Sequence, residues 1–184
     1  MTSLLRFDGV SLRRGGRLLF EGLGLALEEG GGLHVVGPNG AGKSSLIRLA
    51  AGLLRAECGR VERTALALAD EHLALDRELP LARALAFWAP SGAAPAMAAM
   101  GLAALADVPV RLLSTGQAKR ASLARVGASG VPLWLLDEPL NGLDDDGIAR
   151  LEALIDAHRR GGGGVLVASH RPLRGSWSEL RLER

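Results

Sequence analysis

Leu33-His34-Val35-Val36-Gly37-Pro38-Asn39-Gly40-Ala41-Gly42-Lys43-Ser44-Ser45 is the stretch from which the rest of the chain can be read. Its first four residues, a short run with the β-branched Val35 and Val36, predict a buried strand. The turn that follows fits G-x-x-x-x-G-K-[ST]. From Lys43 to Ala51 the apolar residues recur at helical spacing, and Gly52 stands where a helix ends. Strand, glycine turn and helix together give the pattern its meaning. Glycines let backbone N–H groups curl round an anion with no Cβ in the way. The helix aims its N-terminus at that anion. Lys43 is then placed for the β- and γ-phosphates of a nucleotide and Ser44 for Mg²⁺, with residues 37–45 as the cradle. A plain glycine turn would account for the glycines but not for Lys-Ser at this spacing.

Leu133-Trp134-Leu135-Leu136 predicts a second buried strand, closed by Asp137 and Glu138. Alone, that is a strand end. Beside a phosphate loop, Asp137 can hold Mg²⁺ through water, and Glu138 can polarise an attacking water. Leu113-Ser114-Thr115-Gly116-Gln117 contains S-x-x-Q, a capping box that predicts a helix starting at Ser114. Capping by itself explains those residues, although a capped start with a glycine is also an anion site.

Further out, residues 4–10 and 18–27 read as antiparallel strands about Gly15-Gly16, with alternation at Leu23, Leu25 and Leu27. Residues 73–111 are rich in Ala and Leu and broken by Pro80, Pro90, Pro95 and Pro109, which predicts a compact group of short helices. Residues 148–159 read as a helix stopped by the glycines at 161–164. Residues 165–168 read as a strand leading to Ser169-His170. Alternating strands and helices imply a parallel sheet.

At 184 residues, with 48% of them hydrophobic, the chain fits one folded domain. Lys and Arg number 22 against 20 Asp and Glu, a net charge of +2 that does not point to a polyanionic partner. The single cysteine, Cys58, excludes an intrachain disulfide and a cysteine metal cluster and suits a reducing compartment; it reads as a small core or loop residue. The N-terminus shows no signal-peptide stretch. The longest apolar segment, 92–106, contains Pro95 and falls short of the ~20 residues a bilayer span needs. The chain is expected to be soluble by itself, with any membrane role arising through partners.

The phosphate loop, Leu-Ser-Thr-Gly-Gln at 113–117, the strand with Asp137-Glu138, Asn141-Gly142-Leu143-Asp144 and His170 resemble an ABC ATPase, in that family's order and over nearly the whole chain. Leu-Ser-x-Gly-Gln is the family signature. The resemblance implies an α/β fold, a P-loop NTPase of ABC ATPase type. Its core would be a mostly parallel sheet with N-terminal antiparallel strands, and a small helical signature subdomain at about 73–125 would be inserted in one domain, 1–184. It implies ATP and Mg²⁺, and an ATP-driven, head-to-tail dimer in which Ser114, Thr115, Gly116 and Gln117 contact the nucleotide of the other subunit. Asp144 would belong to the D-loop between subunits. His170 resembles the histidine that senses the γ-phosphate, acting with Glu138 and Lys43. Two positions depart from the pattern. Where the family stacks adenine on an aromatic residue, this chain has Arg14; either its guanidinium stacks instead, or the base is loosely held, or Arg14 is a solvated turn residue. Where the family has a Q-loop glutamine, this chain has Ala69-Asp70-Glu71-His72-Leu73, leaving Glu71 or His72 to substitute.

Within that family, Leu18-Leu19-Phe20-Glu21-Gly22-Leu23, residues 76–88 ending in Phe87-Trp88, and Ser169-His170-Arg171-Pro172-Leu173 resemble the bacterial cytochrome c maturation ATPase, the CcmA heme-exporter family. This implies a translocase subunit, peripheral on the cytoplasmic face of the inner membrane, working with integral-membrane subunits. Heme would be the cargo, and export of another substrate stays open. None of His34, His72, His158 and His170 lies in a heme-attachment motif, so direct heme binding is not expected. Soluble ABC proteins of DNA repair or the ribosome carry paired nucleotide domains, coiled coils, zinc cysteines or basic linkers. This sequence has none of these, and no nucleic-acid partner is expected. Lys43, Asp137 and Glu138 together argue against a non-hydrolysing module. Phe87 and Trp88 read either as a docking surface for a membrane partner or as the helical subdomain's own core.

Overall fold

The computed structural model describes residues 2–183. The chain forms two compact units. The first takes residues 2–68, 131–138 and 159–183; the second takes 69–130 and 139–158, so the segment expected at 73–125 lies inside the second.

In the first unit, β1 (Ser3–Arg14) and β2 (Arg17–Glu28) form a long hairpin about Gly15-Gly16, and β4 (Cys58–Arg63) pairs on the other side of β1. Alternation decides which face is buried: Leu5 and Phe7 point inward while Arg6 and Asp8 stay exposed. The second sheet runs β5 (Leu66–Ala69), β6 (Leu133–Asp137), β7 (Gly164–Ala168), β3 (Gly32–Val36), β8 (Ser178–Arg181). Its pairs β6–β7, β7–β3 and β3–β8 are parallel. Helix α1 (Lys43–Ala51) follows β3. Gly52, at φ 79°, closes it with its N–H on the carbonyls of Arg48 and Leu49. Leu46, Ile47 and Leu49 of α1 join Leu5, Phe7, Val35, Leu135 and Leu166 in one core shared by both sheets. Each such side chain contributes about 1.5–3 kcal/mol when fully buried.

The second unit is helical: α2 (Leu81–Trp88), α3 (Ala93–Ala99), α4 (Thr115–Ala128) and most of α5 (Asp145–Arg160), with single 3₁₀ turns at Ala103–Leu105 and Val110–Leu112. The capping box at the start of α4 is made: Gln117 N–H donates to Ser114 Oγ at 3.3 Å, and Ser114 N–H donates to Gln117 Oε1 at 2.8 Å. Asp144 Oδ1 accepts from the Gly147 N–H at 2.8 Å and caps α5, whose first turn carries Asp145 and Asp146. That start precedes the expected 148.

Three strands go beyond the sequence expectation: β4, β5 and β8. All are sheet edges. β4 and β8 are mostly exposed and polar, so no apolar alternation marks them. Cys58 opens β4 and is exposed rather than a core residue. Among the described residues no helix is long and apolar enough to cross a membrane.

Candidate nucleotide site

The loop between β3 and α1 is shaped by close packing. A Cβ on Gly37 would run into the Leu182 carbonyl just past β8, and Gly42 starts α1 at φ 104° with Leu19 against it. Only glycine suits both places. Lys43 is 7% exposed. Its Nζ donates to the carbonyls of Gly37 (2.9 Å) and Pro38 (3.3 Å) and lies 3.1 Å from His170 Nε2. The ammonium therefore hangs over the loop, at the mouth of the helix. Ser44 is half-buried in the first turn, and Ser45 is buried beside it.

β6 delivers the acids. Asp137 is its last residue and is buried. Glu138 follows at φ 44°, in left-handed space where a non-glycine residue costs about 1–3 kcal/mol. Its N–H donates to the Ala168 carbonyl of β7 at 2.8 Å, a bond that holds the residue in that conformation. Its carboxylate Oε1 is 3.4 Å from His170 Nε2. One ring nitrogen thus faces a cation and an anion. Bare, it accepts from Lys43; protonated, it donates to Glu138; it serves one at a time. Lys43, Glu138 and His170 are brought together here from 127 residues apart, with Asp137 adjoining.

Arg14, at the end of β1, is exposed and donates from Nη1 to Ser45 Oγ at 3.4 Å. It leans on the first turn of α1 rather than into bulk solvent alone.

The signature residues lie in the second unit. Ser114, Gly116, Gln117 and Asp144 line one polar cleft of about 160 Å³ with Arg120, Gly142 and Leu143. Thr115 is the first residue of α4. Arg120 Nη1, 3.7 Å from Asp146 Oδ2, is the cationic wall of this cleft. The sequence offers no cue to it beyond its position one turn into the helix.

At the departed Q-loop positions, Glu71 and His72 are both exposed. His72 N–H donates to Asp70 Oδ1 at 2.9 Å, and its Nδ1 is 3.2 Å from Oδ2. Asp70 also acts on Arg125 of α4. Burial pushes that guanidinium below its ordinary value, and Asp70 opposes the shift. Arg125 stacks on Trp88 at 5.1 Å. Trp88 and Phe87 then line an apolar groove of about 390 Å³ with Leu73, Leu75, Leu79 and Ala84. Phe87 is 79% exposed and Trp88 50%, so neither is core.

Among the described residues no group of three or more His, Cys, Asp or Glu is placed to hold a metal. Mg²⁺ does not require one, since it takes one or two protein oxygens and fills the rest with water and phosphate. The hydroxyl of Ser44 and the carboxylate of Asp137 are donors of that kind.

A sequence profile of the ABC transporter family matches residues 20–141. The chain is 60% identical over 177 residues to the cytochrome c biogenesis ATP-binding export protein CcmA of Sphingopyxis alaskensis, covering 92% of this chain and 91% of the relative. It is 57% identical to the protein of the same name from Novosphingobium aromaticivorans, covering 89% and 87%. An ATP-binding subunit of an ABC transporter superposes with a TM-score of 0.83 at 23% identity, covering 91% of this chain and 79% of that one. A nucleotide-free ATP-binding cassette from an ABC transporter gives 0.78 at 19%, covering 92% and 82%. These two speak for the fold; the closer sequence relatives speak for more. The chain belongs to the ABC transporter ATP-binding family and, within it, to the family of the cytochrome c biogenesis ATP-binding export protein CcmA.

Proposed function

We propose that this chain is the ATP-hydrolysing subunit of the heme exporter of cytochrome c maturation. The observation that carries the hydrolytic part is the cluster of Lys43, His170 and Glu138 around the phosphate loop, with Glu138 held in strained backbone. The reaction is attack of water on the γ-phosphorus with departure of ADP. Glu138 orients and polarises that water. Lys43 leaves the carbonyls of Gly37 and Pro38 for the β- and γ-oxygens, where charge is greatest. His170, relieved of Lys43, is free to pair with Glu138 or the γ-phosphate. Mg²⁺ on Ser44 and Asp137 would neutralise phosphate charge. Arg14 offers a planar cation for the base.

Two copies would sandwich two nucleotides, each signature cleft of Ser114, Thr115, Gly116 and Gln117 facing the other copy's phosphate loop, with Asp144 beside it. The groove under Phe87 and Trp88 is the docking place for an integral-membrane subunit, which keeps this chain peripheral at the inner membrane's cytoplasmic face. The name of the relatives, an export protein of cytochrome c biogenesis, supports the pathway.

Glu138→Gln tests the reading. Shape is kept and charge removed, so ATP binding is expected to persist while hydrolysis falls roughly 10²- to 10⁴-fold. Gel filtration with Mg-ATP is expected to show a trapped dimer. A variant that stays monomeric and turns over like the wild type defeats the assignment.

A further inference from the structure

His34 takes no part in the phosphate site, yet it is buried in the middle of β3, 8% exposed, with Val167 of β7 and Glu179 of β8 as its strand partners. Its strand neighbours Leu33 and Val35 are apolar, and an apolar side chain here would avoid the cost of burying an imidazole. The ring is held by one bond above all: Nε2 lies 3.0 Å from the carbonyl oxygen of Ser169. A carbonyl only accepts, so the proton of this bond sits on Nε2. The rest of the ring is fixed too. It meets Trp177 edge-on at 6.4 Å and 66°, Arg159 lies 5.0 Å over the Trp177 ring, and Trp177 Nε1 donates to the Arg174 carbonyl.

Ser169 immediately precedes His170. Its N–H donates to the Val35 carbonyl at 3.4 Å, and its Oγ accepts from the Arg171 N–H at 3.1 Å. The Ser169 carbonyl and the His170 N–H belong to one planar peptide. Whatever fixes that carbonyl fixes the plane from which the His170 side chain starts. We infer that His34 is a positioning residue for His170: through the Ser169 carbonyl it sets the peptide that aims the His170 imidazole between Lys43 and Glu138. The inference rests on the hydrolytic reading of that cluster. His34 has no hydrogen bond to residues 37–45, so it is expected to act on the chemical step and not on nucleotide affinity.

The test compares His34→Leu, which has no donor, with His34→Gln, whose amide can still donate to the carbonyl; His34→Met stands in if the Leu variant does not fold. Steady-state Mg-ATP hydrolysis, ATP affinity and thermal stability are measured on the purified chain. His34→Leu is expected to lower kcat about three- to tenfold, the effect of one hydrogen bond, with ATP affinity unchanged. His34→Gln is expected to recover most of that loss. In a His170→Ala background, His34→Leu is expected to add nothing, because the two act as a unit. Wild-type kcat in His34→Leu, an equal loss in His34→Gln, or an undiminished effect without His170 overturns the inference. Failure of the parent reading looks different: the wild-type chain would then hydrolyse nothing, or Glu138→Gln would match it.

Discussion

Lys43 and Ser114 each open a helix with a polar side chain, but they are held in opposite ways. Lys43, in the first unit, is buried; its ammonium is held by the carbonyls of Gly37 and Pro38 in its own loop and, from 127 residues away, by His170. Ser114, in the second, is exposed, and its bonds run three residues along its own chain to Gln117. The first site is assembled by sheet topology, which sets the ends of β3, β6 and β7 next to one another. The second is assembled by local helix capping and leaves its cleft open. The difference teaches where each can work. The phosphate loop, Glu138 and His170 are brought together in a single chain, whereas the signature cleft belongs to the second unit, and in the proposed dimer a second molecule would complete it.

Removing the centre of the long-range site is expected to do most. Lys43→Ala is expected to weaken ATP binding by about 10²-fold or more, since the phosphates lose a preorganised cation. Calorimetric titration checks this, and unchanged affinity would contradict the role given to residues 37–45. Ser114→Ala attacks the local site and separates its two duties. Loss of the cap is expected to cost about 1 kcal/mol and to lower Tm by about 2–4 °C. ATP affinity of the monomer is expected to stay and hydrolysis to fall roughly ten- to hundredfold. Loss of hydrolysis only in step with melting would leave Ser114 a cap and nothing more.

Phe87→Asp probes the second unit where it faces outward. At 79% exposed, Phe87 can be changed with little effect on folding, within about 0.5 kcal/mol. ATPase activity of the isolated chain is expected to be unchanged and its recovery with membranes to fall severalfold; membrane recovery equal to wild type would remove the groove as a docking place. The smallest effect is expected at Asp146. The Arg150 hydrogen bond (2.7 Å), with Arg120 nearby, holds its carboxyl below the usual carboxylate range. A lowered folded-state pKa stabilises above the unfolded value of about 3.9, and the contribution is lost as pH falls through the lower folded value. Melting curves of Asp146→Ala and wild type should differ slightly at neutral pH and converge in acid. A gap that widens in acid would reverse the sign.

Much of the first unit is legible in the order of its residues. β3, β6 and β7 are short buried runs bounded by glycine or acid, and α1 is bracketed by Gly42 and Gly52, so pattern and punctuation coincide. The edge strands β4 and β8 are not legible, because polar residues at a sheet margin carry no period. The candidate site divides along the same line. Motif residues announce themselves by spacing. Their supports do not: His34 reads as an ordinary member of an apolar strand, and Asp70, Trp88 and Arg125 meet only once α4 and the segment after β5 are folded. Arg14 on Ser45 is likewise a contact across 31 residues that no local pattern foretells.

Glu138 carries a consequence for anyone who would make this protein sturdier. Its φ of 44° suits glycine or asparagine better than glutamate. A search for heat-tolerant variants would therefore be drawn to this position and would be rewarded there, at the expense of the carboxylate. Selection for durability and selection for turnover pull in opposite directions at one residue, so a screen that scores only survival would gather well-folded, idle proteins.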